Sequence, residues 1–180
     1  TATALTASWG TPVPPGDTYN LQLSSLNNFS SDLHESNSSS LSTSVSGLSP
    51  NTTYYGRVNS IINGSSSPWT AYITSSTLAN IPASAPSTWT AVQYSSITVS
   101  WLKNNNLDYM TKYVVQLSTV NGFGSGTTLS SVTYNLIGTF TGLLTDTTYY
   151  AQVQAVNHNE ISTGWLLLGS TKTVQAGMPT

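Results

Sequence analysis

Leu5-Thr6-Ala7-Ser8-Trp9 returns later in the chain as Ile97-Thr98-Val99-Ser100-Trp101, and Tyr19-Asn20-Leu21-Gln22-Leu23-Ser24 returns as Tyr113-Val114-Val115-Gln116-Leu117-Ser118. Further on, Gly47-Leu48 and Thr53-Tyr54-Tyr55 return as Gly142-Leu143 and Thr148-Tyr149-Tyr150. The chain is two copies of one unit, and that repeat frames every later step. The offset between copies grows from 92 residues at Leu5 and Ile97 to 95 at Tyr54 and Tyr149. Strands that are kept while loops change length produce such a drift. Within each block large apolar side chains alternate with small or polar ones, as in Leu5, Ala7, Trp9 and Ile97, Val99, Trp101. A period of two marks a strand with one buried face, and no stretch keeps a helical period. Turn formers punctuate the blocks at Gly10-Thr11-Pro12, Pro14-Pro15-Gly16, Asn63-Gly64, Asn104-Asn105-Asn106 and Asn121-Gly122. Several short strands per copy, separated by such turns, describe a β-sandwich.

The composition fits this reading and narrows the function. Of the 180 residues 38% are hydrophobic, 10% aromatic and only 6% charged, with four basic and six acidic side chains. Disorder is disfavoured because Trp, Tyr, Leu, Val and Ile are present to be buried. A net charge of −2 gives no basic surface for nucleic acid or an anionic membrane. No run reaches the length of a membrane-spanning helix, and the chain opens at Thr1 without a charged, apolar signal segment, as expected of a soluble chain, mature or excised. The absence of cysteine excludes disulfide scaffolds and thiolate metal sites.

The run Leu48-x-Pro50-x-Thr52-x-Tyr54, followed by Val58 and Asn63-Gly64, resembles the E–F corner and F strand of a fibronectin type III domain. The second copy resembles it too, with Leu143, Thr147, Tyr149, Ala151, Val153, Ala155 and Asn157, although Thr145 stands where the pattern has Pro. The resemblance implies an all-β fold, two immunoglobulin-like (fibronectin type III-like) β-sandwiches in tandem. Residues 1–79 would be the first domain and 80–180 the second plus the start of a next linker. It places Trp9 and Trp101 at the family's buried Trp on strand B, and makes Trp9, Tyr54, Trp101 and Tyr149 core-structural residues. Each corner Tyr is expected to bury its ring while its hydroxyl satisfies a backbone carbonyl near the turn. Ala79 to Pro86 reads as the linker running into the second domain's first strand, Ser87 to Val92.

The first copy has no counterpart of Ser87 to Val92: aligning Trp9 on Trp101 sets Thr1 opposite Gln93, after strand A would have ended. An absent A strand leaves an open edge that invites pairing. Either preceding residues of a longer array of modules supply the strand, or another molecule fills the gap by strand addition. Thr1, Thr3, Leu5, Val174 and Met178 are the expected assembly edge, and neighbouring copies or adjacent modules the expected partners.

Catalysis needs acids, bases or nucleophiles in mutual reach. Asp17, Asp32, Glu35, Asp108, Asp146 and Glu160 are dispersed over expected loops, and the histidines are His34 and His158. Asp32-Leu33-His34-Glu35 lacks a second ligand group at a fixed offset, so it reads as a solvated loop rather than a metal site. Asp146 falls in the E–F corner, where local backbone bonding is expected. Gly122-Phe123-Gly124-Ser125-Gly126 belongs to a β connection, with no helix start to hold phosphate. No Gly-x-Ser-x-Gly elbow and no Arg-Gly-Asp tripeptide occur. No cofactor is expected.

Trp69, Trp89 and Trp165 are candidate ligand aromatics for sugar rings or a protein partner. The alternative is packing, with Arg57 lying over Trp69. Asn28, Asn37, Asn51 and Asn63 head Asn-x-Ser/Thr triplets and are candidate glycan acceptors. Hydroxyl-linked glycans on Ser36 to Ser46 are a further option. Low charge with abundant hydroxyls resembles bacterial surface polypeptides. The expected function is a non-enzymatic extracellular structural or spacer module of a repetitive surface protein or filament. A carbohydrate- or protein-binding adhesin or accessory module is the alternative.

Overall fold

The structure, a computed structural model, describes residues 1–124, 128–175 and 177. Every helix or strand among them is a strand. The chain divides into two compact units, Thr1–Leu78 with Asn157–Asn159, and Ala79–Val156 with the described residues from Glu160 onward.

Unit 1 contains β1 (Ala4–Ser8), β2 (Thr18–Ser24), β3 (His34–Ser38), β4 (Ser42–Ser46), β5 (Thr53–Ile62), β6 (Ser65–Ser66) and β7 (Ile73–Ser76). One sheet runs β3-β2-β5, with β6 and β7 both pairing β5; the other is the pair β1-β4. All pairings are antiparallel, with Leu5 opposite Val45 and Leu21 opposite Val58. The two-residue alternation read from the sequence sets the faces, so Tyr19, Leu21 and Leu23 of β2 all turn inward and are buried. Leu21 and Leu23 meet Val45, Leu48 and Tyr54, with Leu5, Ala7 and Trp9 only partly buried against them.

Unit 2 contains β8 (Ala83–Val92), β9 (Ser96–Leu102), β10 (Lys112–Ser118), β11 (Thr128–Thr133), β12 (Ile137–Thr141), β13 (Thr148–Val156) and β14 (Leu166–Lys172). Its sheets run β11-β10-β13-β14 and β12-β9-β8. Strand β8, antiparallel to β9, has no counterpart among the described residues of unit 1. Strand β8 starts at Ala83, so the linker is shorter than expected; Ala83 and Ser84 already pair Leu102 and Trp101 before a register break towards Trp89. Ala79 is buried in unit 2's core, one residue before the expected boundary.

The two E–F corners repeat in detail. The Ser49 amide donates to the Tyr54 hydroxyl and the Leu144 amide to the Tyr149 hydroxyl, each at 3.0 Å. The tyrosine oxygen therefore accepts from an amide, where the sequence suggested it would satisfy a carbonyl; in each copy the amide is that of the residue after the corner Leu. Asn51 and Asp146 stand at equivalent positions with φ of 47° and 51°, a left-handed conformation that Asn and Asp tolerate best among non-glycine residues. Thr77 and Thr173 close both corners, each hydroxyl donating at 2.7 Å to a carbonyl, of Ser49 and Leu144 respectively.

Candidate functional site

A concavity lies where unit 1 departs from unit 2. It is a groove of about 590 Å³ between β1 and the segment Thr70–Ser75, floored by Leu5, Ala7, Trp9, Leu23 and Tyr54. Its volume is within the usual range of binding pockets, roughly 300–1,000 Å³. Two sequence differences open it. Among the described residues no strand lies on the free side of β1. Thr70-Ala71-Tyr72 also occupies the place of Leu166-Leu167-Leu168 after the homologous Trp, and Tyr72 is 48% exposed whereas Leu168 is buried. The Trp9 amide donates to the Leu41 carbonyl at 3.0 Å. Alternation along an antiparallel pair then turns the backbone polar groups of Thr6 and Ser8 away from β4, to the open side.

The open edge therefore lies further along than expected. Of the expected assembly residues only Leu5 lines the groove. The Thr1 carbonyl accepts from the Leu78 amide at 3.1 Å, as the Gln93 carbonyl does from Val174, and the Thr3 carbonyl accepts from the Leu48 amide. Thr1, Thr3 and Val174 are thus tied into their own units by backbone bonds. Met178 lies outside the described residues, as do Ser125 and Gly126 of the Gly-rich run.

The ionisable groups form separate local contacts. Asp17 accepts from the Asn63 amide at 2.8 Å, and Lys172 pairs with Asp146 at 2.7 Å. Lys103 pairs with Asp108, and Lys112 with Glu160. His34 and Glu35 sit on strand β3, not in the loop expected for them, because the Ser/Asn-rich stretch pairs with β2. Alternation sends them to opposite faces: His34 stands edge-on to Tyr54 at 5.8 Å, while Glu35 accepts from the Gln22 amide group. Asp32 contacts His34 at 3.1 Å. A hydrogen bond from Ser25, opposed by partial burial and helped by His34, holds its carboxyl below the usual carboxylate range. Among the described residues no three His, Cys, Asp or Glu side chains gather as a metal group. No two carboxylates among the described residues share a site; Asp32 and His34 form the one carboxylate–imidazole contact within 4 Å.

The indicated aromatics differ in how they are used. The Arg57 guanidinium lies 4.6 Å from the Trp69 ring centre and 3.9 Å from that of Phe29, while donating to Gln22. Phe29 as the second face escapes sequence reading, since it lies in a loop with no period. Trp89 packs against the core of unit 2, and Trp165 is 37% exposed. Of the core-structural set, Trp101, Tyr54 and Tyr149 are buried, but Trp9 is only half-buried. Asn28, Asn37 and Asn63 are exposed. Asn51 is not a glycan acceptor in the folded chain: it is fully buried in the corner, with no space for a sugar.

No helix of the described residues is long and apolar enough to cross a membrane. No curated protein sequence matches the chain. Residues 84–164 match the family model of the fibronectin type III domain. The two-domain fibronectin type III segment of chicken tenascin matches in structure over 96% of this chain and 94% of its own, with a TM-score of 0.61 and 23% identity. The chain is thus all-β, similar in fold to tandem fibronectin type III sandwiches along its length and in sequence to that family over residues 84–164.

Proposed function

We propose that this chain is a non-enzymatic structural or spacer module of a repetitive extracellular protein or filament of bacterial type, joined to its neighbours through the open edge of unit 1. One observation carries the reading: the six carboxylates are used up in separate local contacts, while a strand edge and an apolar groove stay open. A fold that hosts many functions does not choose among them, so the reading rests on this distribution of used and unused groups. Exposed Asn28, Asn37 and Asn63 and the hydroxyl-rich Ser36 to Ser46 stretch suit a surface solubilised by sugars rather than charge. The denatured intact mass of the native polypeptide tests the proposal. A mass several times 19.1 kDa, or a mass near it with strand-linked polymers in the native state, agrees with it. A lone monomer that forms no assembly contradicts it.

The second reading is a carbohydrate- or protein-binding module. The exposed flank of Trp165 favours it, and the engagement of Trp69 and Trp89 weighs against it. Saturating binding on a carbohydrate array, lost in Trp165→Ala, would establish this reading in place of the first.

A further inference from the structure

A smaller hollow, of about 280 Å³, lies wholly on unit 2, between the loop that follows β9 and the turn that leads from β11 into β12. Asp108 and Tyr109 line it from the loop, Tyr134, Asn135 and Leu136 from the turn, and Tyr113 from the start of β10. Its volume is just below the range of drug-sized pockets, which suits one small ring at a time. Tyr109 is 80% exposed and Tyr134 51%, so two rings that gain by being covered stand open to solvent. Tyr109 is also held at φ 57°, a left-handed conformation that is costly for a bulky side chain and recurs at ligand clamps.

The repeat shows what the hollow leaves undone. Tyr19, the counterpart of Tyr113, accepts a hydrogen bond from the Gly16 amide at 3.2 Å. Tyr113 is 1% exposed and its ring centre lies 5.6 Å from that of Trp101. Its buried hydroxyl has no hydrogen-bond partner, with Asn106 and Thr111 as polar neighbours, and such a group is costly to leave unpaired. The polar rim then selects the occupant. Asp108 pairs with Lys103 through Oδ2, which offsets its charge and leaves Oδ1 to accept, while the amide of exposed Asn135 both donates and accepts. A proline-rich segment brings carbonyl acceptors but no N–H for Asp108. A sugar ring brings both kinds of contact: C–H faces that lie on tyrosine rings, and hydroxyls that donate and accept at the rim.

We infer that the hollow of unit 2 binds a neutral sugar ring of a polysaccharide, stacked on Tyr109 and Tyr134 and held through hydroxyl contacts to Asp108 and Asn135. The inference goes beyond the spacer reading and does not depend on it, since the site is complete within unit 2. It also differs from the second reading in its residues, because Trp165 takes no part.

The test titrates the full chain with cellohexaose, xylohexaose, mannohexaose and N-acetylchitohexaose, each to about 10 mM, which reaches millimolar affinities. At least one should bind saturably and shift the ring proton signals of Tyr109 and Tyr134. Tyr109→Gly, which accepts φ 57° without strain, should weaken that binding at least about tenfold, as loss of an aromatic anchor requires. Tyr134→Ala, at a second exposed position, should do the same. Tyr113→Phe should weaken it by about two- to tenfold, the scale of one hydrogen bond. Three results would each overturn the inference: no binding by any of the four sugars, binding that survives both Tyr109→Gly and Tyr134→Ala, or ring shifts produced by a decaproline peptide and by no sugar. Binding that is lost in Trp165→Ala but kept in Tyr109→Gly would overturn it in favour of the second reading. The intact mass decides the spacer reading separately, so failure here leaves that reading standing.

Discussion

Unit 1 and unit 2 start from matching sequence blocks and finish with different cores. Among the described residues, unit 2 buries fourteen hydrophobic residues in one cluster and unit 1 buries five. The inward residues of β1 and β9 occupy the same register, yet Trp101 is 1% exposed while Trp9 is half-buried. What separates them is the cover: β8 pairs along β9, and among the described residues no strand lies on that side of β1. A strand's pattern therefore sets which side chains point inward, but a neighbouring strand decides whether they are sealed from water. The hydrophobic gain follows the sealed area, about 25 cal/mol per Å².

The largest test of this contrast is truncation of the two tryptophans. Trp101→Ala should cost about 3–5 kcal/mol, the range for deleting a large side chain from a closed core. Trp9→Ala should cost under about 2 kcal/mol, because its ring is only partly buried and lines the open groove. Urea denaturation of the full chain, with hydrogen exchange on β5 and β13 to assign each loss to a unit, reads both. Equal costs would break the comparison.

Two glycines sharpen it. A Cβ added at Gly138 would come within 2.8 Å of Val115 Cγ1 and 3.7 Å of the Trp101 ring, and a β-branched side chain in a full core has nowhere to turn. Gly138→Ala should therefore destabilise by about 1–3 kcal/mol. At Gly56 the clash is 2.9 Å with Leu23 Cδ2, the flexible end of a side chain that borders the groove. Gly56→Ala should cost less than about 1 kcal/mol, measured by the same denaturation; a penalty as large as that at Gly138 would show that the groove is closed.

The corners should not differ. Tyr54→Phe and Tyr149→Phe each remove one accepted hydrogen bond of 3.0 Å, so each should lose about 1 kcal/mol. Unchanged midpoints in both would remove the corner from the account.

The smallest effect is confined to unit 2, where burial pushes the Tyr113 hydroxyl above its usual value. A raised folded pKa means the stabilisation is whole below the unfolded value of about 10 and is lost as pH rises through the folded one. Stability measured between pH 9 and 11 should fall, and Tyr113→Phe should flatten that fall; an identical slope in the variant would contradict this assignment.

The strands and their inward faces were legible because alternation at period two is a local property, and the repeat doubled each signal. Leu5, Ala7 and Trp9 could be placed on a strand, and the absent cover over them inferred, from alignment with Ile97, Val99 and Trp101 alone. The groove's second wall was not legible, since Thr70-Ala71-Tyr72 has no period and its distance from β1 depends on how the chain packs. Phe29 beneath Arg57 and the burial of Asn51 depend on tertiary contacts as well. His34 and Glu35 show the opposite failure: a Ser/Asn-rich composition suggested a loop, but pairing with β2 imposed a strand, as context overrides weak β-propensity.

Native-state hydrogen exchange at Thr6 and Thr98 tests the central claim most directly, because these homologous residues both turn their amides away from the partner strand, towards open groove in one unit and towards β8 in the other. The account predicts that Thr6 exchanges near the rate of an unprotected amide while Thr98 is slowed by orders of magnitude. Equal protection at the two sites in the isolated chain would mean that the edge of β1 is already covered, and would contradict it.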